Sequence, residues 1–325
     1  MIFLGFNWNP DDTLFTLGII QIKYYNLLWI AAFIAGWYLM KEIFKKEGRT
    51  LDKLDSLFVY SVVSIMLGAR LGHVFFYDWD YYKNHIIEIL LPIRESMDGK
   101  LFGLINGYEF TGFTGLASHG AAIAGVIGIY LFSRKYEDIS FWWILDRIGV
   151  VSAIGAAFVR LGNFFNSEIN GKIVDENFAL ATRFIRDSDD MPAYKAMAIT
   201  KEKTASAAYK ALENKAEFAD QLSAIPFRHP VQMYEAVGYV ILFIVLYFGL
   251  YNTSKRNKPG YLFGAWLVGM WAIRFFLERF KKSQGGFGDT LEILSTGQWL
   301  SIPFILIGLF LMFRPKPGVS IRNGN

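Results

Sequence analysis

Apolar blocks dominate this 325-residue chain, and most are long enough to cross a lipid bilayer. Hydrophobic residues make up 53% of the sequence and charged residues 19%, below the roughly 25% of ordinary soluble domains. A membrane-spanning helix needs about 20 mostly apolar residues. The pattern therefore predicts an all-α, multi-pass membrane protein with about seven transmembrane helices. The predicted spans lie near residues 24–43, 56–77, 118–133, 142–166, 229–250, 261–280 and 297–313.

Composition also limits the chemistry that the chain can perform. It contains no cysteine, which excludes disulfides, thiolate metal sites and a cysteine nucleophile. The four histidines show no zinc-binding spacing, so we expect neither a metal nor another cofactor. The net charge of +4 is mild and the basic residues flank the apolar blocks, so nucleic acid is not an expected partner.

The distribution of lysine and arginine between the predicted loops gives an orientation, because cytoplasmic loops are enriched in these residues. With segment 167–228 left out, most of them fall on one side: Lys41, Lys45, Lys46, Arg49, Lys53, Arg134, Lys135, Lys255, Arg256, Lys258, Arg314, Lys316 and Arg322. The other side, apart from segment 167–228, has Lys83, Arg94, Lys100, Lys281 and Lys282. We therefore expect the N-terminus outside and the C-terminus in the cytoplasm.

Segment 167–228 is the one long polar stretch between predicted spans. Its second half, Lys201–Leu222, is rich in alanine, lysine and glutamate, which favours a surface helix. We interpret the segment as a small external head, inserted into a single integral-membrane domain that covers residues 1–325. The sequence has no evident internal repeat of the kind found in many transporters.

Polar residues concentrate at one depth of the predicted bundle, near its external surface. Charged residues inside a span cost roughly 2.5 to 3.5 kcal/mol each on insertion scales, so such a concentration needs an explanation. Five spans contribute: Arg70 and His73; His119; Arg160, Asn163 and Asn166; Arg228 and His229; Arg274 and Glu278. Arginines around one cavity at headgroup level favour phosphate binding, because a guanidinium holds phosphate oxygens in a bidentate fork.

Simpler interpretations exist for each of these residues taken singly. An arginine near the end of a span can extend to the lipid headgroups. Arg274 and Glu278 have the i,i+4 spacing of a structural ion pair, and His73 could be an ordinary packed histidine. Asp146 and Arg147 lie in the cytoplasmic half of the fourth span and are interpreted as a local structural pair. These explanations do not account for the observation that polar residues of five spans lie at the same depth, near the external surface.

Ordered motifs along nearly the whole chain resemble the prolipoprotein diacylglyceryl transferase family. The segment Arg160–Glu168, followed by Gly171, resembles the family signature. Further resemblances occur at Trp8–Tyr25, Gly68–Gly72, Ser118–Gly120, Arg228–Pro230 with Gln232, Tyr234 and Glu235, Arg274 with Glu278, and Gly297–Gln298 with Ser301 and Pro303. Ordered motifs at compatible spacing are far more specific than any one of them.

The resemblance implies a function and a location. The family transfers the diacylglyceryl group of phosphatidylglycerol to the lipobox cysteine thiol of a prolipoprotein, which forms a thioether and releases glycerol phosphate. This is the first step of bacterial lipoprotein maturation, at the cytoplasmic (inner) membrane. The expected partners are therefore phosphatidylglycerol and prolipoproteins, and the expected site lies at the outer leaflet. A chain without cysteine fits this reaction, because the nucleophile belongs to the substrate.

The resemblance also implies roles for individual residues. Arg160 and Arg274 would hold the phosphate and stabilise charge on the departing glycerol phosphate, and His119 is the candidate base for the thiol proton. The predicted substrate-binding residues are Arg160, Asn163, Tyr25, Arg70, Glu168, Gly171 and Glu278.

The chain departs from the family pattern at three positions. Ser167 and Ala121 stand where the family often has glycine, and Met270 stands where it has a tyrosine four residues before the arginine. Met270 argues against an essential role for that tyrosine. The external head is also somewhat longer than usual.

Two other functions stay open at this point. In a transporter or channel for an anionic solute, the arginines would line a permeation path. Against this, the inner half of the predicted spans has no matching polar series beyond Asp146 and Arg147. A scaffold that only binds lipoprotein precursors would leave the buried arginines without a role.

Overall fold

The computed structural model describes residues 5–11, 13–17, 20–101, 104–111, 115–282 and 293–315, and most of these are helical. Lys316 and Arg322, on which the predicted orientation partly depends, lie outside them. The helices are α1 (Tyr24–Lys46), α2 (Leu51–Phe76), α3 (Trp79–Tyr82), α4 (Ile87–Leu90), α5 (Ser118–Lys135), α6 (Phe141–Phe165), α7 (Ala193–Thr200), α8 (Ala205–Asn214), α9 (Ala219–Ser223), α10 (Val231–Ile244), α11 (Tyr261–Leu277) and α12 (Thr296–Phe313).

Within the described residues, six helices are long and apolar enough to cross a membrane. They are α1, α2, α6, α10 with a π-helical extension to Tyr251, α11 with a 3₁₀ turn to Phe280, and α12. The prediction of a multi-pass helical membrane protein is therefore confirmed. The remaining predicted span, 118–133, corresponds to α5, which is helical but less apolar because His119, Arg134 and Lys135 occupy its ends.

The all-α prediction missed three small two-stranded sheets. They consist of β1 (Phe6–Trp8) with β6 (Thr182–Phe184), β2 (Thr13–Leu17) with β3 (Ile20–Lys23), and β4 (Ile93–Leu101) with β5 (Ile105–Phe110). The last two pairs are antiparallel hairpins, whereas β1 and β6 run parallel. Strands of three to nine residues produce no apolar block of membrane-spanning length, so a search for spans does not detect them.

The chain divides into two compact units. The larger unit comprises Met1–Met40 and Asp146–Asn325, and the smaller unit comprises Lys41–Leu145.

In the larger unit, the predicted head segment has its own apolar core. Ile185, Met191, Tyr209, Leu212 and Ile225 are buried together there. The single helix predicted over 201–222 is instead α8 and α9 joined by a 3₁₀ turn. The helix starts late because Lys201 adopts a left-handed conformation that ends α7 and the side chain of Thr204 caps the start of α8. The break follows from Lys215, whose extended backbone ends α8.

The N-terminal segment is bound to this head. In addition to the β1–β6 pairing, Asp11 forms ion pairs with Lys210 at 2.9 Å and Arg186 at 3.0 Å, and it accepts a hydrogen bond from Ser206. The hydrogen bonds from Lys210 and Ser206, with the charge of Arg186, lower the pKa of Asp11 to about 2. The N-terminal segment and the head therefore lie on the same side of the helices.

Asp146 has a structural role in the larger unit in addition to the predicted pairing with Arg147. Its carboxylate accepts hydrogen bonds from the backbone N–H groups of Gly260 and Phe263, both at 2.8 Å, at the start of α11. Arg147 is farther away, at 3.9 Å. The buried carboxylate thus caps a helix N-terminus whose N–H groups would otherwise lack partners.

In the smaller unit, glycines allow α2 and α5 to approach closely. A Cβ atom at Gly72 would lie 2.8 Å from the Cα of Gly120, and one at Gly68 would overlap the Ala124 side chain. The turns at the basic ends of these helices are joined by Asp138, which pairs with Arg49 and Lys53 at 2.8 Å. Close packing through small residues is a common way to associate membrane helices.

Candidate active site

A buried carboxylate lies between two cations in the larger unit. Glu235 on α10 is fully buried, and its two oxygens form ion pairs with Arg160 Nε and Lys281 Nζ, both at 2.8 Å. Lys281 is also 3.6 Å from Glu278. The Arg160 side chain keeps 18% of its surface exposed, so Glu235 orients the guanidinium without enclosing it.

Arg160 begins a chain of side-chain contacts along the signature segment. Its guanidinium donates to Asn163 Oδ1 at 3.2 Å, and Asn163 Nδ2 donates to Glu168 at 3.2 Å. Asn166 also donates to Glu168, at 3.1 Å. The structure thus brings together three predicted site residues, Arg160, Asn163 and Glu168, in one hydrogen-bonded series.

The turn that follows α6 is conformationally unusual. Ser167 and Ile169 have φ angles of 56° and 60°, a left-handed region that few residues other than glycine adopt, and least of all β-branched ones. The strain is compensated by buried amides. Gln232 donates to the Glu168 carbonyl and to Asn170 Oδ1, both at 2.6 Å, and Asn170 donates to the Ser167 carbonyl at 2.8 Å.

Gly171 lies where the signature segment meets the start of α10. Its N–H donates to the His229 carbonyl at 3.0 Å, and a Cβ atom here would lie 2.7 Å from Val231 Cγ2. The neighbouring Arg228 donates to both oxygens of Asp190 at 2.8 Å. Burial opposes ionisation of Arg228, but the hydrogen bonds and charge of Asp190 outweigh it and raise the pKa of Arg228. The close contacts of Gly171 give it a packing role, because a side chain at this position would separate the signature segment from the start of α10.

Arg274 on α11 differs from Arg160 in its partners. Its guanidinium lies 5.6 Å from the ring centre of Trp271, and its buried Nε has no hydrogen-bond partner among the described residues. The i,i+4 ion pair with Glu278 is not formed within the described part of the chain. The helix gives way to a 3₁₀ turn at Glu278, whose carboxylate instead lies against Gly297 and near Lys281.

Two tyrosines complete this region. Tyr239, one turn after Glu235, lies within electrostatic range of Glu235, Arg160 and Arg274. The ring of Tyr25 packs against Gly162, where a Cβ atom would lie 2.7 Å from the ring. Tyr25 therefore lies within one α6 turn of Arg160.

The smaller unit contains the other two predicted site residues. Arg70 is buried, donates to the backbone carbonyls of Ile89 at 2.9 Å and Glu88 at 2.5 Å, and lies 4.7 Å from the ring centre of Tyr82. It lines a polar cavity of about 430 Å³ with His73, which is 2.9 Å from Asp78. His119 is exposed in the first turn of α5.

Three residues with central positions were not assigned roles from the sequence. Glu235 and Gln232 were noticed only as parts of a motif, and Lys281 only as a loop charge. A signal for Glu235 was present, because an ionisable residue inside a span suggests a functional site by default. Lys281 carried no such signal, since its contact with Glu235 joins residues distant in sequence.

Comparison with known proteins agrees with these observations. The family model described as "Prolipoprotein diacylglyceryl transferase" matches residues 12–314. A phosphatidylglycerol–prolipoprotein diacylglyceryl transferase of Bacteroides fragilis is 36% identical over 312 residues, covering 96% of each chain. Proteins of the same name from Tolumonas auensis and Chloroherpeton thalassium are each 34% identical, covering 94% of this chain and 95% and 93% of theirs. This chain therefore belongs to the prolipoprotein diacylglyceryl transferase family.

Proposed function

We propose that this protein transfers the diacylglyceryl group of phosphatidylglycerol to the lipobox cysteine thiol of prolipoproteins. The family, and the names of relatives that match over nearly the whole chain, make it a transferase of lipoprotein biosynthesis. The observation that best supports a lipid phosphate as ligand is the cluster of Arg160 and Arg274. One guanidinium is oriented by a fully buried carboxylate, and the other has a buried N–H without a protein partner among the described residues.

The reaction is a substitution at carbon. The thiolate sulfur attacks the diacylglyceryl carbon that carries the phosphate ester, a C–S bond forms, and the C–O bond to phosphate breaks. The bonding electrons stay on the phosphate oxygen, so glycerol phosphate leaves with an additional negative charge. Arg160 and Arg274 stabilise this developing charge, which is how fixed cations accelerate such a step.

Asn163, Glu168 and Glu278 orient the cations rather than react. The series from Arg160 through Asn163 to Glu168 limits the rotation of the Arg160 guanidinium. Glu278 and Glu235 share Lys281. Tyr25 and Gly171 shape the surroundings by packing against α6 and the start of α10. Preorganisation of this kind reduces the reorganisation needed when the charge develops.

We assign His119 the removal of the thiol proton. An unperturbed thiol has a pKa near 8.5, so only a few per cent is thiolate at neutral pH, and a neutral imidazole is a suitable base. The variant His119→Gln should therefore lose activity at neutral pH and regain part of it as the pH rises. A His119→Gln variant whose pH profile has the wild-type shape would exclude the histidine from the chemical step.

The protein is proposed to cross the inner membrane seven times, with α5 as the third span, the N-terminus outside and the site at the outer leaflet. The binding of the N-terminal segment to the head supports a common side for both. A reporter that is active only outside the cytoplasm should be active when fused within 205–214 and silent when fused after Phe313. The opposite pattern would overturn the orientation.

The function itself is tested with purified protein in detergent. Phosphatidylglycerol labelled in its acyl chains should transfer label to a lipobox peptide, and a peptide with serine in place of cysteine should stay unlabelled. Labelled lipid that crosses proteoliposomes without reacting would support a transporter instead. Peptide binding without any transfer would support a scaffold.

A further inference from the structure

Three side chains of the kinds that bind divalent metals converge in the smaller unit, where the segment around α4 meets the β4–β5 hairpin. They are His85, Glu88 and Glu95, and one ligand atom of each lies within 4.8 Å of the others. Glu88 is buried, with 3% of its surface exposed, whereas Glu95 at the start of β4 is half-exposed. The cluster therefore has a closed inner side and an open outer side from which an ion could enter.

The imidazole of His85 is oriented in the way that metal-binding histidines usually are. Its ring stacks on the ring of Tyr81, with their centres 4.2 Å apart, and its Nδ1 lies 2.9 Å from the Tyr81 carbonyl oxygen. A carbonyl can only accept a hydrogen bond, so Nδ1 carries a proton. In metal sites, such a contact to a backbone carbonyl fixes the ring and leaves Nε2 for the ion.

The Nε2 atom of this ring faces an oxygen. It lies 3.4 Å from Oε2 of Glu95. In a neutral imidazole that donates from Nδ1, Nε2 is an acceptor like the carboxylate oxygen, and the two repel unless a proton or a metal ion lies between them. A metal accounts for the spacing directly, because two ligands of a tetrahedral zinc ion, each bound at about 2.0–2.1 Å, are about 3.3–3.4 Å apart.

Glu88 supplies a third ligand that the protein already holds in place. The Tyr81 hydroxyl donates to one of its oxygens and the backbone N–H of Glu95 donates to the other, both at 2.8 Å. Each carboxylate oxygen has a second lone pair, which can bind a cation. Arg94 lies over the Tyr81 ring and within electrostatic range of Glu88. Two carboxylates and this one guanidinium leave a net negative charge, which favours a divalent cation.

We propose that His85, Glu88 and Glu95 bind one divalent transition-metal ion, and that zinc fits them best. Imidazole combined with carboxylates suits zinc, whereas calcium and magnesium prefer oxygen ligands alone. Water can complete the four ligands on the exposed side. The expectation that the chain binds no metal depended on the spacing of its histidines, but here one histidine is joined by two carboxylates. The site is additional to the proposed transfer reaction, whose steps use none of these three residues.

The ion would attach a weakly packed hairpin to the rest of the smaller unit. Every residue of β4 and β5 is partly or fully exposed, and the pairing is irregular between Glu95 and Lys100. A two-stranded hairpin of this kind is marginally stable by itself. A metal held by Glu95 on one side and by His85 and Glu88 on the other would fix the start of β4 to α4.

The test is a calorimetric titration of zinc chloride into the untagged full-length protein in detergent, after metal has been removed with a chelator. We expect wild type to bind one zinc ion per chain, with no competition from calcium or magnesium. His85→Gln and Glu95→Gln each remove one ligand from a partly exposed position, so both variants should fold. Loss of groups that only orient ligands lowers metal affinity by about 10–100-fold, so loss of a ligand should cost at least tenfold.

Glu109→Gln is the matched control. Glu109 is an exposed carboxylate on β5 of the same hairpin, opposite Arg94 and outside the cluster, so its loss should leave the zinc affinity unchanged. Wild-type protein that binds no zinc would overturn the proposal and leave a protonated His85 paired with Glu95. Equal affinity in wild type and both ligand variants, or an equal loss in Glu109→Gln, would show adventitious surface binding and also overturn it. Preference for calcium over zinc would contradict the choice of metal. Because binding is measured without lipid or peptide, none of these results depends on the proposed transfer activity.

Discussion

Arg70 in the smaller unit and Arg274 in the larger unit have similar positions in the sequence, near the predicted external ends of apolar spans, but different partners. The guanidinium of Arg70 donates to two backbone carbonyls and lies over Tyr82. In Arg274 the buried Nε has no protein hydrogen-bond partner among the described residues. An arginine saturated by protein groups stabilises a fold, whereas one with an unused buried donor is prepared for a ligand. We propose that these partners, rather than depth in the membrane, separate a structural role for Arg70 from a ligand-binding role for Arg274.

The largest expected effect comes from the cluster that contains Arg160 and Arg274. Replacing either with lysine keeps the charge but removes the planar fork, so diacylglyceryl transfer should fall by roughly 100-fold or more. The measurement is the initial rate with labelled phosphatidylglycerol and a lipobox peptide. Near-normal rates in both lysine variants would show that these guanidinium groups do not hold the phosphate.

The next largest effect is expected from substitution of Glu235, which should lower the stability of the protein. The substitution Glu235→Gln leaves Arg160 and Lys281 without their buried counter-charge, which should destabilise the protein by about 3 kcal/mol. A lower midpoint of thermal unfolding in detergent would report this loss. The double variant with Lys281→Met removes one unpaired cation and should recover part of the midpoint. If Glu235→Gln unfolds like wild type, the carboxylate is not the structural centre of the cluster.

The variant Arg70→Lys tests whether the contacts of Arg70 are structural, in contrast to those proposed for Arg274. Arg70→Lys cannot reproduce two carbonyl contacts and a stacked guanidinium, so about 1 kcal/mol of stability should be lost. Its transfer rate, measured on folded protein, should stay within roughly threefold of wild type if the lost contacts are only structural. A loss as large as that of Arg160→Lys would instead support the substrate-binding role that the sequence predicted for Arg70.

A small, pH-dependent effect is expected where the N-terminal segment meets the head. Because contacts with Lys210, Ser206 and Arg186 lower the folded pKa of Asp11 to about 2, its ion pairs stabilise the attachment above the ordinary pKa of 3.8. This contribution is lost as the pH falls from about 4 to about 2. Pepsin should therefore cleave near β1 faster at pH 2 than at pH 4. Asp11→Asn should reduce this pH dependence, and an equal response in both proteins would exclude Asp11.

Much of the fold and the family could be predicted from the sequence. Long apolar blocks determine helices directly, and the family resemblance is confirmed by a match over residues 12–314. Strands β1 and β6 escaped prediction because they pair across more than 170 positions, with Phe6 opposite Thr182. No local pattern encodes such a contact.

In the candidate site, too, contacts within one motif could be predicted from the sequence, whereas contacts between distant segments could not. Arg160, Asn163 and Glu168 lie within nine residues, so their series follows from one motif. Lys281 reaches Glu235 from the extended residue after the 3₁₀ turn that ends α11. Among the described residues Arg274 and Glu278 form no ion pair, which depends on where α11 changes to that turn. Contacts of this kind arise from packing, and a single sequence does not show them.

The central claim, that Arg160 and Arg274 hold the lipid phosphate, is tested most directly by lipid binding without turnover. Purified protein in nanodiscs of phosphatidylcholine would be titrated with phosphatidylglycerol in the absence of peptide. We predict saturable binding by wild type and by Arg70→Lys, and a loss of roughly tenfold or more in affinity for Arg274→Lys. Equal affinity in wild type and Arg274→Lys, with loss only in Arg70→Lys, would contradict the account.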